Sequence, residues 1–163
     1  MSSFDRRHFL SLLAAAPLAG CGFTPVYAPG GSGLALRGQV RVADPDTRLG
    51  FQLVSRLEER LGRPEAETYR LDYNIETDES DLAITGTNDI TRIRIEATLT
   101  FTLTEVATGT ELVSDSVSSF TAYSTTSTAV ATAAAARDAE DRLMTILADQ
   151  AVSLLLASSL TWS

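Results

Sequence analysis

The sequence predicts an α+β fold, a two-layer sandwich with two helices on one face of a four-stranded mixed sheet in the order β-α-β-β-β-α. Three observations predict it. Four segments alternate apolar and polar residues with period two, two others repeat apolar residues at helical spacing, and the first helical segment falls between the first two strands. Each strand then has one apolar face, and both helices are needed to cover it. The other sheet face stays polar. The first crossover makes strands one and two parallel by the usual right-handed connection, and the remaining strands form an antiparallel meander.

The first strand is read from Leu36, Gly38, Val40 and Val42, which alternate with Arg37, Gln39 and Arg41. Asp44-Pro45-Asp46 then offers cap residues and a first-turn proline. Leu49, Leu53, Leu57 and Leu61 recur every four residues with Val54 beside them, and Gly62-Arg63-Pro64 closes the helix. Tyr69, Leu71, Tyr73 and Ile75 make a second alternating strand. After it, the acidic cluster Asp78, Glu79 and Asp81, with Gly86-Thr87-Asn88-Asp89, reads as a long turn.

The third strand is the clearest. Ile93, Ile95, Ala97, Leu99, Phe101 and Leu103 face one way, and Arg92, Arg94, Glu96, Thr98, Thr100, Thr102 and Thr104 face the other. Ala107-Thr108-Gly109-Thr110 is a hairpin turn, and Glu111 to Tyr123 returns as a fourth strand whose serines leave room for a bulge. Ser124 to Thr128 is a polar link with N-cap candidates. From Val130 to about Ala157 an Ala-rich helix presents Ala139, Leu143, Ile146, Leu147, Leu154 and Leu155 as its apolar stripe. The single domain therefore spans residues 34–158, with 159–163 as a tail.

Before that domain lies a segment of another kind. Arg6, Arg7 and His8 precede an apolar run from Phe9 to Leu18, and Leu18-Ala19-Gly20-Cys21 forms a lipobox around the single cysteine. The run is too short to span a bilayer stably. Residues 1–20 are thus expected to be cleaved between Gly20 and Cys21, leaving Cys21 as an N-terminus that carries acyl chains through its thiol and amine. Several chains give an anchoring that one cannot. Arg6-Arg7 followed by Phe9-Leu10 resembles a twin-arginine export signal, and two n-region arginines suit ordinary secretion as well. Gly22 stands where an Asp would favour retention at the inner membrane, which points to the outer membrane. Residues 21–33, rich in Gly and Pro, read as a tether, although Phe23, Val26 and Tyr27 are more apolar than a free linker requires.

Composition narrows the function classes. Without residues 1–20, 143 of the 163 residues remain, enough for a core without disulfides. Arg6, Arg7 and Asp5 leave with that segment, so the remaining part holds 11 of the 13 basic and 20 of the 21 acidic residues, a net charge of −9. Such a surface does not bind nucleic acid as a whole. His8 is the single histidine and leaves too, and the chain has no Lys. His-assisted nucleophiles, His-ligated metals, Schiff bases and phosphate-loop lysines are excluded with them. The acidic cluster matches no calcium-loop spacing and reads as solvated. A non-enzyme without cofactor or metal is expected.

The lipobox, followed by Cys21-Gly22-Phe23-Thr24-Pro25-Val26-Tyr27 and then by β-α-β-β-β-α with Asp81-Leu82-Ala83-Ile84 leading to Thr91-Arg92-Ile93-Arg94-Ile95, resembles the LPS-assembly lipoprotein LptE family over essentially the whole chain after residue 20. The resemblance implies a lipoprotein seated in the lumen of an outer-membrane β-barrel of the LptD type. There it helps the barrel assemble and helps place lipopolysaccharide in the outer leaflet. It also implies basic contacts on the loop before the third strand and at the start of the last helix. Arg137 holds the second place; residues 85–89 carry no basic residue, so Arg92 is the residue that would substitute for the first, and Arg94 is a further candidate contact for lipopolysaccharide or the partner. Two alternatives remain at the residue level: Arg137 as half of an i,i+4 pair with Asp141, and the threonine face as an ordinary solvated surface. At the level of the whole chain the alternative is an adaptor or pilot lipoprotein of another envelope transport or secretion complex.

Overall fold

A computed structural model describes residues 36–84, 90–125 and 127–159. The lipobox with Gly20 and Cys21, the tether, the expected turn at 85–89 and the tail beyond Ser159 lie outside the described residues. The elements are β1 (Val40–Val42), α1 (Arg48–Leu61), β2 (Tyr69–Ile84), β3 (Ile90–Glu105), β4 (Glu111–Ser124) and α2 (Ala129–Ser158). They form the expected α+β arrangement, with a single sheet in the order β1-β2-β3-β4, parallel between β1 and β2 and antiparallel elsewhere. No described helix is long and apolar enough to cross a membrane.

The first strand is shorter than its alternation suggests. Leu36 to Gln39 form a turn, because Gly38 adopts φ 71° and its N–H donates to Leu61 O at 2.8 Å, tying the chain to the end of α1. Leu36 is nevertheless fully buried. The cap of α1 is Thr47 rather than Asp44 or Asp46. Its Oγ1 accepts from Gly50 N at 3.0 Å, the geometry that satisfies a first-turn amide. Gly62 ends the helix at φ 79°, donating to Glu58 O, as its Gly-x-Pro ending anticipates.

The acidic cluster does not form a turn. β2 continues through Asp78, Glu79 and Asp81 to Ile84, paired with β3 throughout and in one register as far as Asp81. A poor strand sequence is held extended because each residue gains a ladder partner on β3 while its carboxylate stays in water. Leu82 and then Thr91 are extra residues at the shifts near the far end of this pair, and Leu112 is the extra residue at the start of β4, two residues before the first of its serines.

The core lies between the sheet and the helices. Leu71 of β2, Ile95, Ala97, Leu99, Phe101 and Leu103 of β3, and Leu53 and Leu57 of α1 are all buried within it. α2 contributes Ala139, Leu143, Met144, Leu147, Ala148, Ala151, Val152 and Leu155. Of the expected stripe, Ile146 is exposed and Leu154 only partly buried, while Met144 and Val152 replace them. The reason is that α2 packs on both the sheet and α1, which rotates its buried arc away from the side of Ile146. Arg48 pairs with Glu140 and, at 2.7 Å, with Asp141; Arg56 and Arg60 both reach Asp149 at 3.0 Å. These pairings run in step along both helices, which therefore point the same way.

Candidate functional site

β3 positions the candidate site because it is paired on both sides and its even-numbered residues from Arg92 to Thr104, all polar, emerge on the face that no helix covers. Across that face Thr98 lies between Glu76 of β2 and Ser118 of β4, Thr100 between Asn74 and Ser116, and Thr102 between Asp72 and Ser114. Thr102 Oγ1 and Ser114 Oγ are 3.3 Å apart. The result is a band of hydroxyls with β-branched residues at its centre. The ladder on both sides fixes the backbone positions from which these hydroxyls emerge.

Toward the far end of the same face the band becomes basic and aromatic. Arg94 lies between Ser80 and Ala122 in register, with its guanidinium carbon 4.1 Å from the centroid of the Phe120 ring. Its Nη2 reaches Glu96 Oε2 at 3.0 Å, and its Nε is buried without a hydrogen-bond partner among the described residues. The ring thus covers the guanidinium from one side. Arg92, two residues earlier on the same strand, is exposed and belongs to no ion pair among the described residues. Phe120 is 55% exposed. It was hidden in the sequence by the serines around it; the signal that finds it is its place in the even-numbered, outward series of β4.

The third candidate arginine stands elsewhere. Arg137 is exposed in the first third of α2, in the helical layer, whereas Arg92 and Arg94 emerge on the opposite face of the sheet. The anticipated pair with Asp141 is absent, because Arg48 occupies that carboxylate, and Asp138 is paired with Arg142 at 3.1 Å. Arg137 forms no ion pair among the described residues. The fold therefore brings Arg92 and Arg94 together and keeps Arg137 apart.

The acidic cluster does not converge either. Asp78 falls on the open face opposite Glu96, while Glu79 and Asp81 point to the helical side opposite Ile95 and Ile93. No group of three metal-capable side chains occurs among the described residues. One local effect follows on the helical side: the Tyr123 phenol is pushed above its ordinary pKa, first by burial and then by the charges of Glu79 and Glu140.

The profile of a family described as LptE, Lipopolysaccharide-assembly, matches residues 38–155. No curated protein matches the sequence. Among solved structures, a protein from Caulobacter crescentus CB15 is 17% identical with a TM-score of 0.65, the match covering 81% of this chain and 98% of that one. The rare lipoprotein B from Shewanella oneidensis is 13% identical at a TM-score of 0.58, over 76% of this chain and 96% of that one. A minor lipoprotein from Acinetobacter baumannii is 16% identical at 0.54, over 72% and 88%. At these identities the likeness is one of fold.

Proposed function

Since the chain belongs to the LptE family of lipopolysaccharide-assembly proteins, we propose that it is an outer-membrane lipoprotein that sits in the lumen of a β-barrel of the LptD type, aids assembly of that barrel and takes part in inserting lipopolysaccharide. The observation that carries the luminal reading is the uncovered hydroxyl face of β3. A barrel lumen is polar, and a partner lying against it needs ordered hydroxyls and few buried charges. A sheet face with Thr98, Thr100 and Thr102 in one row and Ser114, Ser116 and Ser118 beside it offers such hydroxyls, and its charges, Asp72 and Glu76, stand on the β2 side of the row.

Cys21 supplies the anchor in this reading. Multiple acyl chains on it hold the domain to the membrane, and residues 22–33 give it reach. The role is one of binding rather than catalysis. Arg92 and Arg94 offer planar, permanently charged groups to the phosphates of lipopolysaccharide, with Arg94 oriented by Phe120. Arg137 is free to make a second, separate contact.

A mild-detergent pull-down of the acylated protein from outer membranes, followed by mass spectrometry, tests this. Near-stoichiometric recovery of a large β-barrel is expected. A folded, acylated protein that brings down no barrel would refute the luminal reading. Recovery with a transporter ATPase complex or a secretin would instead assign it an adaptor role.

A further inference from the structure

The outer edge of β4 is open. Thr125 N donates to Thr91 O at 3.1 Å, and the register runs from Arg92↔Ser124 to Leu103↔Val113 without a shift. Odd-numbered residues of β4 therefore bond to β3, and the N–H and C=O of even-numbered residues point outward. At Ser116 the outward N–H is covered by its neighbour, Asp115 Oδ1, at 2.7 Å. Beyond it, Ser118, Phe120 and Ala122 present outward N–H groups with no partner among the described residues, and Ser116 to Tyr123 carries no charge and no proline. The other open edge, on β2 past the short β1, is by contrast studded with Asp72, Glu76, Asp78, Glu79 and Asp81. Charge on an edge prevents strand pairing, so one edge of this sheet is guarded and the other is not.

Beside the unguarded edge, on the helical side, lies a groove of ≈ 570 Å³ lined by Val117, Ile146, Asp149, Gln150, Ser153 and Leu154. Its one carboxylate, Asp149, is already neutralised by Arg56 and Arg60. Asp115, two residues before Val117 and on the same side of β4, is exposed and forms no ion pair among the described residues. A strand laid along β4 turns alternate side chains into this groove.

We propose that the edge of β4 from Ser116 to Tyr123 is a strand-addition site for an extended segment of the barrel partner, with aliphatic residues at alternate positions to fill the groove and a basic residue to meet Asp115. The identity of the partner rests on the luminal reading above; the strand site itself rests on the edge, the groove and the charge.

The test uses the full acylated protein in its own membrane, with Phe120 replaced by a photo-crosslinking phenylalanine analogue, and in parallel the variant Ser118→Pro. That proline removes an outward N–H and leaves the β3–β4 ladder intact. The expected results are a crosslink mapped to one extended barrel segment of the stated pattern, and a roughly tenfold loss of co-purified barrel in Ser118→Pro. A crosslink to a second copy of the chain, a crosslink to a helical segment, or no crosslink together with undiminished recovery of the barrel overturns the proposal. If Ser118→Pro fails to fold, Ile146→Asp takes its place, since it puts a charge in the groove from an exposed helix position and should cause the same loss. If the unaltered chain recovers no barrel but Phe120 crosslinks to an extended segment of this pattern in another envelope protein, the strand site stands and the luminal reading falls.

Discussion

Gly50 shows how a single residue is set by its neighbours. It lies in the first turn of α1, where alanine is ordinarily better by about 1 kcal/mol. Here a Cβ would come within 2.9 Å of Tyr73 Oη and 3.1 Å of Thr47 Oγ1. Gly50→Ala should therefore destabilise the fold, by about 1–3 kcal/mol in urea titration. Tyr73 Oη is buried without a partner among the described residues, so Tyr73→Phe should be tolerated and should recover part of that loss in the double variant. Tyr123 gives the residue scale a pH dependence. Its phenol holds its proton more tightly folded than unfolded, so the stability it contributes is complete below the ordinary value of 10.0 and is lost as pH rises through the raised folded value. Stability measured by thermal melts should fall as pH rises from 10.0 toward that raised value, and Tyr123→Phe should lessen the fall, leaving the part due to Tyr73, whose phenol pKa burial also raises. An unchanged slope would refute the burial and charge effects assigned to Glu79 and Glu140.

The two helices are joined by side chains far apart in sequence. Asp149 accepts from Arg56 Nε and Nη2 at 3.0 Å and from Arg60 Nη1 at 3.0 Å, and the Arg56 guanidinium is held firmly protonated by Asp149 first and Glu59 second. One carboxylate thus clamps two successive turns of α1 to the middle of α2. Asp149→Asn keeps the shape and removes the charge. It should lower the urea midpoint, and the difference should shrink in about 1 M salt because these groups are partly exposed. A difference that persists in salt would mean packing, rather than charge, had been lost.

The whole molecule separates its contact surfaces by layer. Arg92 and Arg94 stand on the open sheet face and Arg137 on the helical side, so their effects on a bound partner should be independent. With lipopolysaccharide retained on the purified complex as the readout, Arg92→Ala with Arg94→Ala should reduce it severalfold, as loss of bidentate phosphate contacts does. Arg137→Ala should act by a separate factor, and all three together should give the product of the two. A triple variant no worse than the double would remove Arg137 from the interface. The same layering helps an acidic chain to present two arginines at one end of its open face: most carboxylates of the helical layer are paired with arginines there.

Alternation along the strands and the apolar repeats of the two helices were enough to place the elements in order, and for β3 and α1 to choose the core face, because those signals are local and each residue's side is set by the period of its own element. The open threonine face followed from the same alternation. Other features depended on partners distant in sequence. Asp78, Glu79 and Asp81 read as a turn by composition and became a strand because β3 supplied their ladder. Arg137 lost its expected partner because Arg48, far earlier in the chain, took Asp141. Phe120 came to lie under Arg94 through the β3–β4 register, and the contrast between a guarded and an open edge arose from which strands ended the sheet. The sequence by itself determined which face of each element is apolar, since that is a property of spacing. Which polar groups meet was decided only by the tertiary structure, since register and helix rotation are set by packing across the chain.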